Sequence, residues 1–183
     1  MWLAPPQIRG SEYPPPPTRS GHAAGSTGDA ARSPPRGGPV TVLDEDGEPR
    51  RQVGALPFRF GRDGKPKILL VTSRESRRWV IPKGWPMKGR KPFEAAAREA
   101  YEEAGLRGAI GKRPIGHYLY QKRLKNLDAV LCQVKVFPLE VRKQLKHFPE
   151  ENQRDLRWFS PADAAEAVSE PGLAALIRTA CRW

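Results

Sequence analysis

Cysteine is nearly missing from this chain: Cys132 and Cys181 are the only two among 183 residues. Neither belongs to a C-x-x-C or Cys/His cluster, so neither a disulfide framework nor a zinc site is indicated. A reducing, cytoplasmic compartment is the expectation that follows. No apolar run reaches 18 residues, so no membrane-spanning helix is expected. The opening "MWLAPPQIRGSEYPPPPTRS" lacks the apolar core of a secretory signal. Its prolines also forbid the amphipathic helix of an organelle-targeting segment. Histidine is sparse too: His22, His117 and His147 are scattered, each read as a surface or packing residue. No nucleophile–histidine–acid set can be assembled from them.

Acids are outnumbered, with 20 Asp and Glu against 32 Lys and Arg, a net charge of +12. The imbalance is local. Residues 1–45 carry four basic and four acidic side chains, so the whole excess falls on residues 46–183. A basic folded part implies an anionic partner. Residues 1–48 are rich in Pro, Gly, Ser and Ala, including "PPPP" at 14–17 and "SPPRGGP" at 33–39. Such a segment buries too little apolar surface to offset its ordering entropy and is read as a disordered tail. A proline-rich ligand for a partner domain is the alternative reading.

Residues 49–183 read as one domain with C-terminal helices. "VGALPFRF" (53–60) predicts a strand, with Pro57 pointing to an edge or a bulge. "GRDGKP" (61–66) predicts a hairpin turn, and "KILLVTS" (67–73) a buried strand. "RRWVIPKG" (77–84) holds a brief strand ending at Pro82, 106–124 one or two strands interrupted by glycines, and 128–141 and 153–160 further strands. Ser160 and Pro161 start a helix at 160–168, and a terminal helix follows at 171–183. The interleaving gives an α/β fold, a mixed sheet with helices packed on it.

Against the basic background, acids gather at one place. Pro92 to Ala104 reads as a helix ended by Gly105. With Glu99 set at zero, Glu102 falls at about 300° and Glu103 at about 40° at roughly 100° per residue. The three carboxylates therefore share a face. Phe93, Ala97, Ala100, Tyr101 and Ala104 fall at roughly 100–200°, the predicted apolar side, and Ala95 lies within the acidic arc at about 320°. Glu94, Arg98 and Glu102 stand at i, i+4 spacing, suited to an ion-paired ladder. Three like charges on one face repel, and a hard divalent cation, Mg²⁺ or Mn²⁺, would relieve them. The alternative is a solvated acidic face on an ordinary helix.

Gly84 through Leu106, "GWPMKGRKPFEAAAREAYEEAGL", resembles the Nudix box, G-x5-E-x7-R-E-U-x-E-E-x-G-U, with U a bulky apolar residue. Gly84, Arg98, Glu99, Glu102, Glu103, Gly105 and Leu106 match at the right spacing. Two positions depart: Ala100 is small where the pattern is bulky, and Arg90 stands at the first glutamate. The upstream "LLVTSRESRRWVIPKG" and the downstream "QRDLRWFSPADA" resemble the subgroup of diphosphoinositol polyphosphate and diadenosine polyphosphate hydrolases, and the resemblance covers about 50–168. It implies a Nudix-type α/β/α sandwich and a metal-dependent hydrolase that cleaves a phosphoanhydride in a highly phosphorylated small molecule. It also implies that Glu99, Glu102 and Glu103 hold the metal, that Arg98 orients them, and that Gly84 permits a tight loop against the helix. A further acid from a distant loop would be Glu150, Glu151 or Asp155, and Glu94 would stand in partly for the lost glutamate by pairing with Arg98.

Basic side chains flank the box. Lys83, Lys88 and Arg90 are the first candidates for the substrate's phosphates, with Arg78, Arg74, Arg77, Lys91 and the 121–126 cluster around them. Trp79, Trp85 and Tyr118 could stack on a base, though Trp79 is assigned to the core. A noncatalytic module binding RNA or polyphosphate, or an RNA 5′-end pyrophosphohydrolase, is the alternative function. Oligomeric state is left open.

Overall fold

In the computed structural model, the described residues are 41–43, 47–123 and 129–180. The body of the predicted tail and parts of the 121–126 cluster and the terminal helix lie outside them. The order of elements is β1 (Thr41–Val42), β2 (Arg50–Phe60), β3 (Pro66–Thr72), β4 (Trp79–Val80), β5 (Lys83–Gly84), α1 (Pro92–Ala104), β6 (Leu106–Ile110), β7 (Gly116–Arg123), β8 (Ala129–Gln144), β9 (Leu156–Phe159), α2 (Pro161–Ala167) and α3 (Pro171–Ala180). The sheet is mixed. β8 runs parallel to β1 and β2 on one edge and antiparallel to β7 and β6 on the other. β3 is antiparallel to β2, β4 and β9.

Alternation along the strands sorts the core into two layers. Ile68 and Leu70 of β3, with Val134 and Val136 of β8, pack on α2 and α3 through Ala164, Leu173 and Ile177. Leu69 and Val71, with Phe137 and Leu139, pack on α1 through Ala95, Ala96, Ala100 and Ala104. Helix, sheet and helix therefore stack as three layers, the predicted sandwich. The hairpin signal holds as well: Gly64, at φ +70°, donates to the Gly61 carbonyl at 3.0 Å, and β2 and β3 pair antiparallel. At α2, the Ser160 hydroxyl accepts from the Asp163 N–H at 3.2 Å, the cap its position called for.

Three expectations need correction. Thr41–Val42, inside the predicted tail, pair with Ala129–Val130 and extend the sheet before Arg50. Pro57 marks neither an edge nor a bulge, because β2 is flanked on both sides. One edge of β2 passes from β5 and Pro82, which end at Ala55, to β3, which begins at Phe58. The Ala55 N–H points to that edge, so the position two residues on would too, and the donor that proline lacks falls in the gap between ladders. Finally, the strand expected to end at Pro82 stops at Val80, and Lys83–Gly84 pair separately with β2 as β5.

Ile177 is fully buried between α3 and the sheet. Ile177→Ala should cost about 2–5 kcal/mol by transfer and cavity terms. Urea denaturation would measure it; a loss under about 0.5 kcal/mol would mean α3 is not part of the cooperative core.

Candidate active site

Helix α1 carries the acids, and its ends are built for position. Pro92 opens it, and the Glu94 carboxylate accepts from the Lys91 N–H at 3.0 Å, satisfying the backbone donor at the cap. Glu94 is thus committed to the cap. Arg98 donates through Nε to Glu102 Oε1 at 2.6 Å, so only the upper rung of the expected ladder forms, and Glu94 is no stand-in through Arg98. Gly105 ends the helix at φ +67° and donates to the Tyr101 carbonyl at 2.9 Å. Its own carbonyl accepts from Leu145 at 2.9 Å, and the Phe148 ring occupies the space a Cβ would need.

The buried face is rotated from the sequence expectation. Ala95, Ala96, Ala100, Glu103 and Ala104 are buried, while Phe93, Ala97 and Tyr101 are half-buried. The buried arc is thus centred near Ala96 and Glu103, because β5 and the loop before β9 cover the acidic side. Gly84 lies directly on the Glu99 carboxylate, and a Cβ there would overlap it.

Each carboxylate has a distinct environment. Glu103 is 5% exposed, accepting from Arg154 Nη2 at 2.5 Å and from the Lys83 N–H at 3.2 Å. Burial pushes its carboxyl upward against the opposing charges of Arg154 and Lys83. Arg154, 7% exposed in its side chain, also donates to Glu150 Oε2 at 2.9 Å and to the Thr72 carbonyl at 3.0 Å. The Glu150 N–H donates to the Glu102 carbonyl at 3.0 Å. Glu99 makes no hydrogen bond or ion pair with another described residue. Its carboxyl is pushed up to about 7, first by burial and then by the charges of Glu103, Glu102 and Glu150.

Of the three distant acids, Glu150 is the one at the cluster. Asp155 pairs with Arg77 at 2.5 Å and Glu151 with His147 at 3.0 Å. Sequence reading missed Arg154, which lies 51 residues from its partner Glu103. It also missed Gln52, buried and accepting from the Tyr120 hydroxyl at 2.7 Å.

The predicted phosphate contacts divide. Lys83 is half-buried, its Nζ 5.1 Å from the Tyr120 ring centre, and burial lowers its pKa. Lys88 and Arg90 are exposed on the loop before α1, where the Arg90 N–H donates to the Met87 carbonyl at 3.1 Å. The Arg90 side chain meets no partner among the described residues. Arg78 points elsewhere, 3.5 Å from Glu170 at the start of α3. Tyr118 is buried and offers no stacking face; Trp79 packs edge-on against Phe159 at 5.1 Å, as the core assignment required.

Among the described residues, no group of three or more His, Cys, Asp or Glu side chains forms a ready-made cation cage. The donor chemistry nonetheless suits a hard cation. Glu99 is unengaged, and the oxygens of Glu102 and Glu103 retain acceptor capacity beyond their present bonds.

The NUDIX domain family model matches residues 48–179. Nudix hydrolase 13, mitochondrial, of Arabidopsis thaliana is 30% identical over 62% of this chain, which spans 64% of that protein's length. Diphosphoinositol polyphosphate phosphohydrolase 3-alpha of Mus musculus is 30% identical over 65% of this chain and 69% of its own. A C. elegans Ap4A hydrolase structure shares the fold, at TM-score 0.53 and 22% identity over 70% of this chain and 93% of that one.

The raised Glu99 pKa gives a stability test. The folded protein keeps this proton up to about pH 7, whereas the unfolded chain releases it near 4.5. Stability from this group therefore falls as pH rises between those values, and the full cost persists above them. Glu99→Gln should raise the melting temperature of chelator-treated protein at pH 8 and leave it nearly unchanged at pH 4.5. Equal changes at both values would show that the charge of Glu99 is not strained.

Proposed function

The chain belongs to the Nudix family, and from that premise we propose that it is a pyrophosphohydrolase using a divalent cation, Mg²⁺ or Mn²⁺. The substrate is a highly phosphorylated small molecule, either a diphosphoinositol polyphosphate, the class named for the mouse relative, or a dinucleoside polyphosphate. The observation that carries this reading is the unengaged Glu99 carboxylate, lying against Gly84 and among Glu102, Glu103 and Glu150. A cation held by Glu99, Glu102 and Glu103 would neutralise phosphate charge and acidify the attacking water.

The chain's own groups do the rest. The proton of the attacking water would go to one of Glu99, Glu102 and Glu103 or to Glu150 beside them. Arg98 orients Glu102, and Arg154 orients Glu103 and Glu150. Gly84 lets backbone approach the reacting centre. Lys83, Lys88 and Arg90 supply positive charge for a chain of phosphates.

A second reading has its own observation. Arg90 stands where the family pattern has a glutamate, so the domain could bind RNA or polyphosphate without cleaving it, or act on an RNA 5′ end. A panel of diphosphoinositol phosphates, dinucleoside polyphosphates, nucleoside triphosphates and 5′-triphosphate RNA, each with and without Mg²⁺ or Mn²⁺, separates these. Turnover of a small-molecule phosphoanhydride, reduced about a hundredfold or more by Glu102→Gln, is the expected result. No turnover of any substrate, with salt-sensitive RNA binding retained, would establish the noncatalytic reading.

A further inference from the structure

Glu170, at the entry to α3, is a carboxylate with no part in the acidic cluster. It is 6% exposed, and neither of its carboxylate oxygens makes a hydrogen bond with a described residue. Its ion pair with Arg78 is 3.5 Å long, and the Arg78 side chain is about half in solvent. A carboxylate is costly to bury without close partners, so its place calls for a cause. The neighbouring residues supply one. Gly172 packs on Tyr118, the Tyr118 ring lies 6.1 Å from that of Tyr120, and the Lys83 Nζ stands 5.1 Å from the Tyr120 ring centre. The Tyr118 hydroxyl is likewise buried without a hydrogen bond, and Glu170 is the foremost charge acting on it.

Lys83 stands between two sets of acids. Its N–H donates to Glu103 Oε2 at 3.2 Å, and the next residue, Gly84, lies on the Glu99 carboxylate. The side chain nevertheless leaves that side. Its ammonium forms no ion pair with a described carboxylate and lies with Tyr120, in the layer that α2 and α3 cover, on the opposite face of the sheet from α1. Of the foremost charges acting on it, Glu103 and Glu170 attract, while Arg154 and Lys122 repel. Lys122 is itself held 5.1 Å from the Trp85 ring centre. Glu103 pulls toward α1, so among these charges Glu170 is the one attraction toward α3. A lysine stem is long and flexible, and an ammonium released from this side would pair with the acids of α1. There it would neutralise the mutually repelling carboxylates, which is the part a divalent cation has to play, and would compete with it.

We propose that Glu170 is a positioning residue for the cation site: its carboxylate holds the Lys83 ammonium on the α3 face of the sheet and so keeps Glu99, Glu102 and Glu103 free for Mg²⁺ or Mn²⁺. The inference rests on the divalent-cation part of the hydrolase reading, and not on turnover or on the identity of the substrate. Loss of Glu170 leaves the acids of α1 in place but lets Lys83 occupy them part of the time. The apparent affinity for the cation then falls in proportion to the fraction of molecules whose site is open. The Arg78 pair does not cancel this role, since it is long and half-exposed, and pairs of that kind are weak.

The test uses the full chain and Mn²⁺ alone, the free ion being read by electron paramagnetic resonance. Glu170→Gln should weaken Mn²⁺ binding about five- to one-hundredfold, the usual span of coupling between two sites. In a Lys83→Met background the same substitution should change binding less than about twofold, because no ammonium is left to hold. In turnover assays Glu170→Gln should raise the Mg²⁺ concentration that gives half the maximal rate, with kcat at saturating Mg²⁺ within about threefold. If Glu170→Gln does not fold, Glu170→Asp carries the comparison: one methylene shorter, it should weaken Mn²⁺ binding with Lys83 present and leave it unchanged in Lys83→Met. Equal losses in both backgrounds would mean that Glu170 acts by its own charge or through the fold, and would overturn the inference. Unaltered Mn²⁺ binding in Glu170→Gln does the same. Mn²⁺ bound by the parent chain without turnover of any substrate sinks the hydrolase reading alone, and a parent chain that binds no Mn²⁺ sinks both.

Discussion

The guanidinium of Arg154 joins what the acidic helix needs. From one buried position it reaches Glu103 on α1, Glu150 in the loop before β9, and the carbonyl of Thr72 at the end of β3. A buried carboxylate without such a partner would be costly, and breaking a pair of this kind typically costs about 3–5 kcal/mol. The pair also has geometric consequences. It brings Glu150 to the cluster while Glu151 and Asp155 go to other partners. It leaves Glu99 as the carboxylate whose charge is least compensated, under pressure from three neighbours of like sign.

The site is a division of labour among carboxylates that look alike in sequence. Glu94 closes the helix start, Glu102 is tied to Arg98, Glu103 is anchored in the interior, and Glu99 remains available. The fold supports this by placing α1 against one face of the sheet while β5 crosses its acidic side. Gly84 is where the two meet, and its missing side chain lets a peptide backbone touch a carboxylate. On the other face of the same short strand, lysines and aromatics take over.

Much of this was legible in the residues. Local periodicity placed α1, its terminal glycine and the shared face of Glu99, Glu102 and Glu103, because these depend on spacing within one helix. Turn and cap chemistry placed the β2–β3 hairpin and the start of α2. Long-range features were not legible. Arg154 gives no local sign that it will meet Glu103, and Pro57 reads as an edge residue because its sequence does not show β2 changing partners around it. The buried face of α1 was placed too far round the helix because apolarity marks what prefers burial, whereas here β5 buries a carboxylate. Glu94 and Arg98 have ideal spacing, yet the backbone N–H of Lys91 claims Glu94.

Gly105 serves two structures at once. It turns the chain out of α1 in a conformation that side chains resist, and it leaves the hollow in which Phe148 sits, two residues before Glu150. Any larger residue would be penalised twice, once in backbone strain and once in steric overlap. The helix terminus and the loop that delivers Glu150 therefore meet at a single residue, and a side chain placed there would displace both at once.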